Sequence, residues 1–99
     1  MSRIYLAGPM SNLPEMNYPA FNAVAAKLRA EGHHVENPAE AVECVTWEAY
    51  MRLAIAQLIT CDTIVMLSGW GDSRGAKIEY RLAGDLGLRI HLCGVVANV

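Results

Sequence analysis

Residues 61–79 read Cys-Asp-Thr-Ile-Val-Met-Leu-Ser-Gly-Trp-Gly-Asp-Ser-Arg-Gly-Ala-Lys-Ile-Glu. A short β-branched and apolar run, Thr63 to Leu67, gives way to a loop holding Gly69, Gly71 and Gly75, and the loop passes into a helical pattern that carries Glu79. Strand, glycine loop and helix start follow one another. In a parallel α/β sheet ligands bind at such a turn, because several loops converge at the carboxyl ends of the strands and the helix offers free N–H groups to anions. With a helix beginning near Ser73, Glu79 shares its face with Gly75, Leu82, Ala83 and Leu86, while Lys77, Arg81 and Asp85 fall elsewhere. A carboxylate on an apolar stripe is costly unless it is hydrogen-bonded or used. Two readings follow: a half-buried Glu79 satisfied by backbone N–H groups of the adjoining loop, or a functional carboxylate.

Outward from this stretch the chain alternates strand and helix. Arg3 to Ala7 is an apolar strand ended by Gly8-Pro9, and the loop continues through Asn12, Pro14 and Asn17. Pro19 suits a first helical turn, Phe21, Val24, Ala25 and Leu28 recur at helical spacing, and Gly32 supplies a stop, so the first helix is expected over 19–31. His34 to Glu36 reads as a brief strand closed by Asn37-Pro38. Thr46 can cap a second helix whose inward stripe is Trp47, Met51, Ala54, Ile55 and Leu58, with Glu48 well placed for the macrodipole and the end near Thr60. The third helix runs from Ser73 to Leu86, and Leu88 to Cys93 is a last strand in which Arg89 and His91 alternate with Ile90 and Leu92. The order βαβαβαβ with right-handed crossovers implies an α/β fold. It is expected to be a flavodoxin-like three-layer sandwich, one domain over residues 1–99, with a parallel four-stranded sheet in the order 2-1-3-4.

Composition narrows the function classes. A hydrophobic fraction of 54% against 18% charged residues describes a filled interior and argues against disorder. A net charge of −2 without a basic run leaves no electrostatic footprint for a nucleic-acid polymer, although a loop can still hold a free nucleotide. Cys44, Cys61 and Cys93 are widely spaced and odd in number, which points to thiols in a reducing cytoplasm rather than to a disulfide framework or a zinc site. No signal peptide and no membrane-spanning run is expected. His33 and His34 lack the spacing of a metal site.

In the order 2-1-3-4 the loops after strands one and three open into one crevice. Tyr5, Gly8, Pro9, Ser73, Gly75 and Glu79 would share it, with Ser73 and the N–H groups of Gly75 and Ala76 as a phosphate seat. The glycine spacing fits neither the dinucleotide fingerprint nor a P-loop. Trp47 reads as core on the second helix. Trp70 either covers the sheet end or stacks on a base.

Tyr5-Leu6-Ala7-Gly8-Pro9, Cys61-Asp62 and Ser73-x-Gly75-x-x-x-Glu79 together resemble the nucleoside 2-deoxyribosyltransferase superfamily, which includes the deoxynucleoside monophosphate N-glycosidases. The chain is most similar to its short members from phages and prophages, with Tyr-Leu-Ala-Gly-Pro-Met and Gly-Trp-x-x-Ser-x-Gly-Ala. The resemblance implies that Glu79 attacks the anomeric carbon of deoxyribose and that Tyr5 orients it. It implies that Ser73 contacts phosphate, and that Gly8 and Gly75 lie around sugar and phosphate. Pro9, Trp70 and Asp72 complete the expected substrate contacts. No metal or organic cofactor is implied, and a homo-oligomer is, since family sites are commonly completed by a neighbouring subunit. In the family an aspartate on the second helix protonates the leaving base; here the matching position, eight residues before Asp62, is Ala54. Asp72 or Glu48 could replace it. Loss of a general acid removes about two to four orders of magnitude in rate. Two functions therefore stand side by side, an N-glycosidic bond transferase or hydrolase with altered catalysis and a non-catalytic protein that sequesters a nucleotide.

Overall fold

The computed structural model describes residues 1–41 and 43–93. Strand β1 (Arg3–Ala7) leads through a loop to helix α1 (Tyr18–Ala30), followed by β2 (His34–Glu36), α2 (Trp47–Leu58), β3 (Thr63–Met66), α3 (Arg74–Asp85) and β4 (Arg89–Leu92). The four strands are parallel in the order β2-β1-β3-β4, with Tyr5 beside Ile64 and Ala7 beside Met66 in the central pair. This is the expected flavodoxin-like α/β topology. Parallel strands need crossover connections, and each crossover here supplies a helix that covers a face.

Side chains alternate across the sheet, and the two faces have separate cores. Ile4, Leu6, Val35 and Val65 point to one side, where Phe21 and Ala25 of α1 cover them. Tyr5, Ala7, Ile64 and Met66 point to the other, against Ala54 and Leu58 of α2 and Ala76 and Ala83 of α3. This parity sends the Tyr5 side chain toward α3. Both β1 and β3 read as continuous apolar runs because both of their faces are buried.

The helix starts follow their caps. Thr46 accepts a hydrogen bond from the Ala49 N–H at 3.0 Å, and Ser73 accepts one from the Ala76 N–H at 3.1 Å. Helix α1 starts one residue earlier than expected, with Pro19 in its second position. The loop before it holds Asn12, Glu15, Met16 and Asn17 at φ between 52° and 66°, and Asn17 Nδ2 ties it back by donating to the Pro9 carbonyl at 2.9 Å. Two expectations are corrected. The alternation foreseen in β4 is absent, since Arg89, Ile90 and His91 are all exposed; among the described residues β4 is paired on one side only. Leu86 is exposed rather than on the buried stripe of α3, which consists of Ala76, Glu79 and Ala83.

Candidate functional site

A cavity of about 710 Å³ opens at the carboxyl ends of β1 and β3. The loop after β1 supplies Gly8, Pro9 and Met10 to its wall, α2 supplies Trp47, Tyr50 and Met51, and the start of α3 supplies Asp72, Ser73, Arg74, Gly75 and Glu79. Two close approaches shape it. A Cβ on Gly8 would lie 2.8 Å from Leu67 Cβ, so only glycine lets the loop after β1 pass the end of β3. A Cβ on Gly75 would lie 3.0 Å from Met51 Sδ, so glycine there allows α2 and the start of α3 to close together. A shallower depression of about 430 Å³ over Glu15, Met16, Tyr18, Pro19 and Asn22 contains no buried carboxylate.

Among the described residues Glu79 is the charged residue in the interior, 5% exposed, and it faces this cavity. Its Oε2 accepts a 2.5 Å hydrogen bond from the hydroxyl of Tyr5, which is fully buried. Among the described residues no other hydrogen bond reaches the carboxylate, and its remaining oxygen is not among buried atoms left without a partner. Oε1 is therefore the atom turned to the cavity. Burial pushes the Glu79 carboxyl up to about 7, against the opposing hydrogen bond from Tyr5. Burial, followed by the nearby Glu79 charge, holds the Tyr5 phenol well above its ordinary value, so Tyr5 remains a donor. The backbone N–H groups of the loop do not hold the carboxylate, contrary to one of the two readings of the sequence; a tyrosine from a neighbouring strand does.

At the start of α3 the Ser73 hydroxyl is engaged by Ala76, so the expected seat for an anion changes in detail. The Ala76 N–H is taken, while those of Arg74 and Gly75 have no acceptor among the described residues. The Arg74 guanidinium lies 4.2 Å from the centroid of the Trp47 ring and brings a positive charge to the same rim.

The structure gathers Gly8, Pro9, Asp72, Ser73, Gly75 and Glu79 around one cavity, with Tyr5 beneath Glu79. It does not bring Trp70 there. That indole stacks on Tyr80, centroids 4.6 Å apart, and packs against the core on the α2/α3 side, so it covers the sheet end rather than a ligand. Trp47, expected in the core, is half-buried at the cavity rim. Ala54 does not line the cavity; at 2% exposed it is packed with Tyr5 and Ala76 below it. Tyr50 was not singled out by motif, although its place one turn before Ala54 on the same face of α2 was a readable signal.

No group of His, Cys, Asp and Glu side chains among the described residues could hold a metal ion. His33 Nδ1 accepts from the Ser2 N–H, and His34 pairs with Glu36, both at the strand ends opposite the cavity. No helix of the described residues is long and apolar enough to cross a membrane.

The fold and its crevice define a flavodoxin-like α/β protein with a cavity at the carboxyl ends of its central strands, where ligands bind in such folds. The chain belongs to the family described as a domain of unknown function, DUF4406, whose model matches residues 2–92. Among solved structures it is similar to a 2-deoxyribosyltransferase from the psychrotolerant bacterium Bacillus psychrosaccharolyticus, with a TM-score of 0.71 at 22% identity over 91% of this chain and 70% of that one. No curated protein matches the chain. The likeness is one of fold.

Proposed function

We propose that the chain acts on the N-glycosidic bond of a 2′-deoxynucleoside or its 5′-monophosphate, as a 2-deoxyribosyltransferase-like enzyme or an N-glycosidase, with Glu79 as nucleophile and residues 1–99 forming one such domain. The observation that carries this is the Glu79 carboxylate, which has one oxygen held by Tyr5 and the other open to the cavity. The fold it shares with a 2-deoxyribosyltransferase supports it. In the proposed reaction Glu79 Oε1 attacks C1′, the C1′–N bond breaks with its electron pair passing to the base, and a glycosyl ester forms on Glu79. Water or a second base then displaces the ester and restores the carboxylate. Tyr5 fixes the carboxylate and stabilises its ionised form. A 5′-phosphate would rest at the start of α3, on the free N–H groups of Arg74 and Gly75 with the Ser73 hydroxyl and the Arg74 charge. The working state is a cytoplasmic homo-oligomer, in which a neighbouring copy closes the open side of the cavity.

A second reading is favoured by one specific observation. The position at which the resemblance to deoxyribosyltransferases implies an acid is a buried Ala54, as suits a protein that holds a nucleotide without cleaving it. Chromatography of the products formed from deoxynucleosides and their monophosphates separates the two. Free base or a new nucleoside is expected; tight binding with neither product would select the binding protein.

A further inference from the structure

Helix α2 presents two rows to the interior. Trp47 and Met51 turn toward the start of α3, where Trp47 carries Arg74 and Met51 fills the space left by Gly75. Tyr50 and Ala54 turn toward β1 and pack with the cluster around Tyr5; of these two only Tyr50, the outer one, reaches the cavity. The Tyr50 hydroxyl donates to Met10 Sδ at 3.4 Å. A thioether is a weak acceptor, so this half-buried phenol retains most of its hydrogen-bonding capacity for a better partner. Ser11, Asn12 and Thr46 on the same wall are exposed, and the Thr46 and Ser73 hydroxyls already cap helices. Burial first, and then the Glu79 charge, raise the Tyr50 phenol above its ordinary range and keep it a donor.

We propose that Tyr50 recognises the base of the bound nucleotide: its O–H donates a hydrogen bond to a ring nitrogen or carbonyl oxygen of that base and holds it while the glycosidic bond breaks. The assignment rests on the nucleotide reading of the cavity given above. The hydrogen bond disperses the charge that the departing base gains with the C1′–N electron pair, and the proton that neutralises the base comes from water. Tyr50 thus occupies the leaving-group side of the cavity, which Ala54 lies too deep to reach.

The test is Tyr50→Phe, with calorimetry of two ligands, a 2′-deoxynucleoside 5′-monophosphate and the base-free 2-deoxyribose 5-phosphate. The variant should bind the nucleotide about tenfold more weakly, and the sugar phosphate within about twofold of the unaltered protein. In turnover, kcat/KM for 2′-deoxyguanosine should fall about tenfold or more. For 7-methyl-2′-deoxyguanosine, whose base departs uncharged, only the lost binding of the base should count, so its fall should be clearly smaller than that of 2′-deoxyguanosine. Equal losses for both ligands, or none for either, would overturn the role of Tyr50 and leave the proposed reaction standing. If the unaltered protein binds nucleotide without releasing base and the variant still loses only nucleotide affinity, Tyr50 keeps its role and the enzyme reading falls. A protein that binds neither ligand and releases no base overturns both.

Discussion

Replacing Tyr5 by Phe removes the one hydrogen bond that the described residues give the Glu79 carboxylate, while keeping the ring that packs between β1 and α3. The consequence can be worked from linkage. Glu79 titrates near 7 in the folded chain and at about 4.3 when unfolded, so the folded state binds this proton more tightly. Stability from Glu79 is therefore fully present below the unfolded value and is lost as pH rises through the folded one. The gap corresponds to roughly 3 to 4 kcal/mol between about pH 4 and 8. A hydrogen bond to a charged group contributes about 1.5 to 3 kcal/mol, so its removal should raise the Glu79 carboxyl by a further one to two units. Urea unfolding of the unaltered protein, Tyr5→Phe and Glu79→Gln across this range is the assay. Tyr5→Phe should differ little at pH 5 and fall progressively below the unaltered protein toward pH 9, while Glu79→Gln should lack the decline. Parallel curves for the first two, or an undiminished decline in Glu79→Gln, would show that the ionisation of Glu79 and its bond to Tyr5 do not set this pH dependence.

Gly8→Ala places a Cβ 2.8 Å from Leu67 Cβ, an atom fixed to the backbone, and should cost about 1 to 3 kcal/mol, read as a lowered melting temperature. Ala54→Asp would bury a carboxyl group beneath the cavity floor; it should cost about 3 kcal/mol in urea unfolding and give no faster base release by chromatography. Ser73→Ala loses the cap of α3, about 1 kcal/mol, and calorimetry should show weaker binding of a 5′-monophosphate with little change for the matching nucleoside.

The sheet was legible because its strands are short apolar runs between glycine, proline and cap residues, and because four strands separated by three helices leave few topologies. Glu79 was legible from its place on an apolar stripe. Strand order placed Tyr5 in the same crevice and the resemblance implied that it orients Glu79; the structure adds the reason, since Tyr5 stands on the face of β1 that meets α3. Side-chain direction at helix starts was harder to read. Trp47 sits at a periodic apolar position, and at the first turn of α2 that position overlooks the cavity. Trp70 lies in a glycine loop suited to ligand contact, yet Tyr80 on α3 captures it, a contact that no spacing rule announces. Tyr50 was hidden because a tyrosine at helical spacing beside Met51 and Ala54 looks like core. Beyond its place one turn before Ala54, the direction of its hydroxyl, toward a sulfur on the cavity wall, distinguishes it.

If Glu79 is the nucleophile, its burial sets when it can act. It must be ionised to attack, so its raised pKa implies activity that appears only as pH rises. The direct measurement is kcat/KM for base release from a 2′-deoxynucleoside 5′-monophosphate between pH 5.5 and 8.5, in the unaltered protein and in Glu79→Gln. The rate should climb toward a plateau with its midpoint near 7, and the variant should lose about three orders of magnitude or more at pH 8. A rate that is flat or falls across this range, or a Glu79→Gln protein that still releases base, would contradict that role.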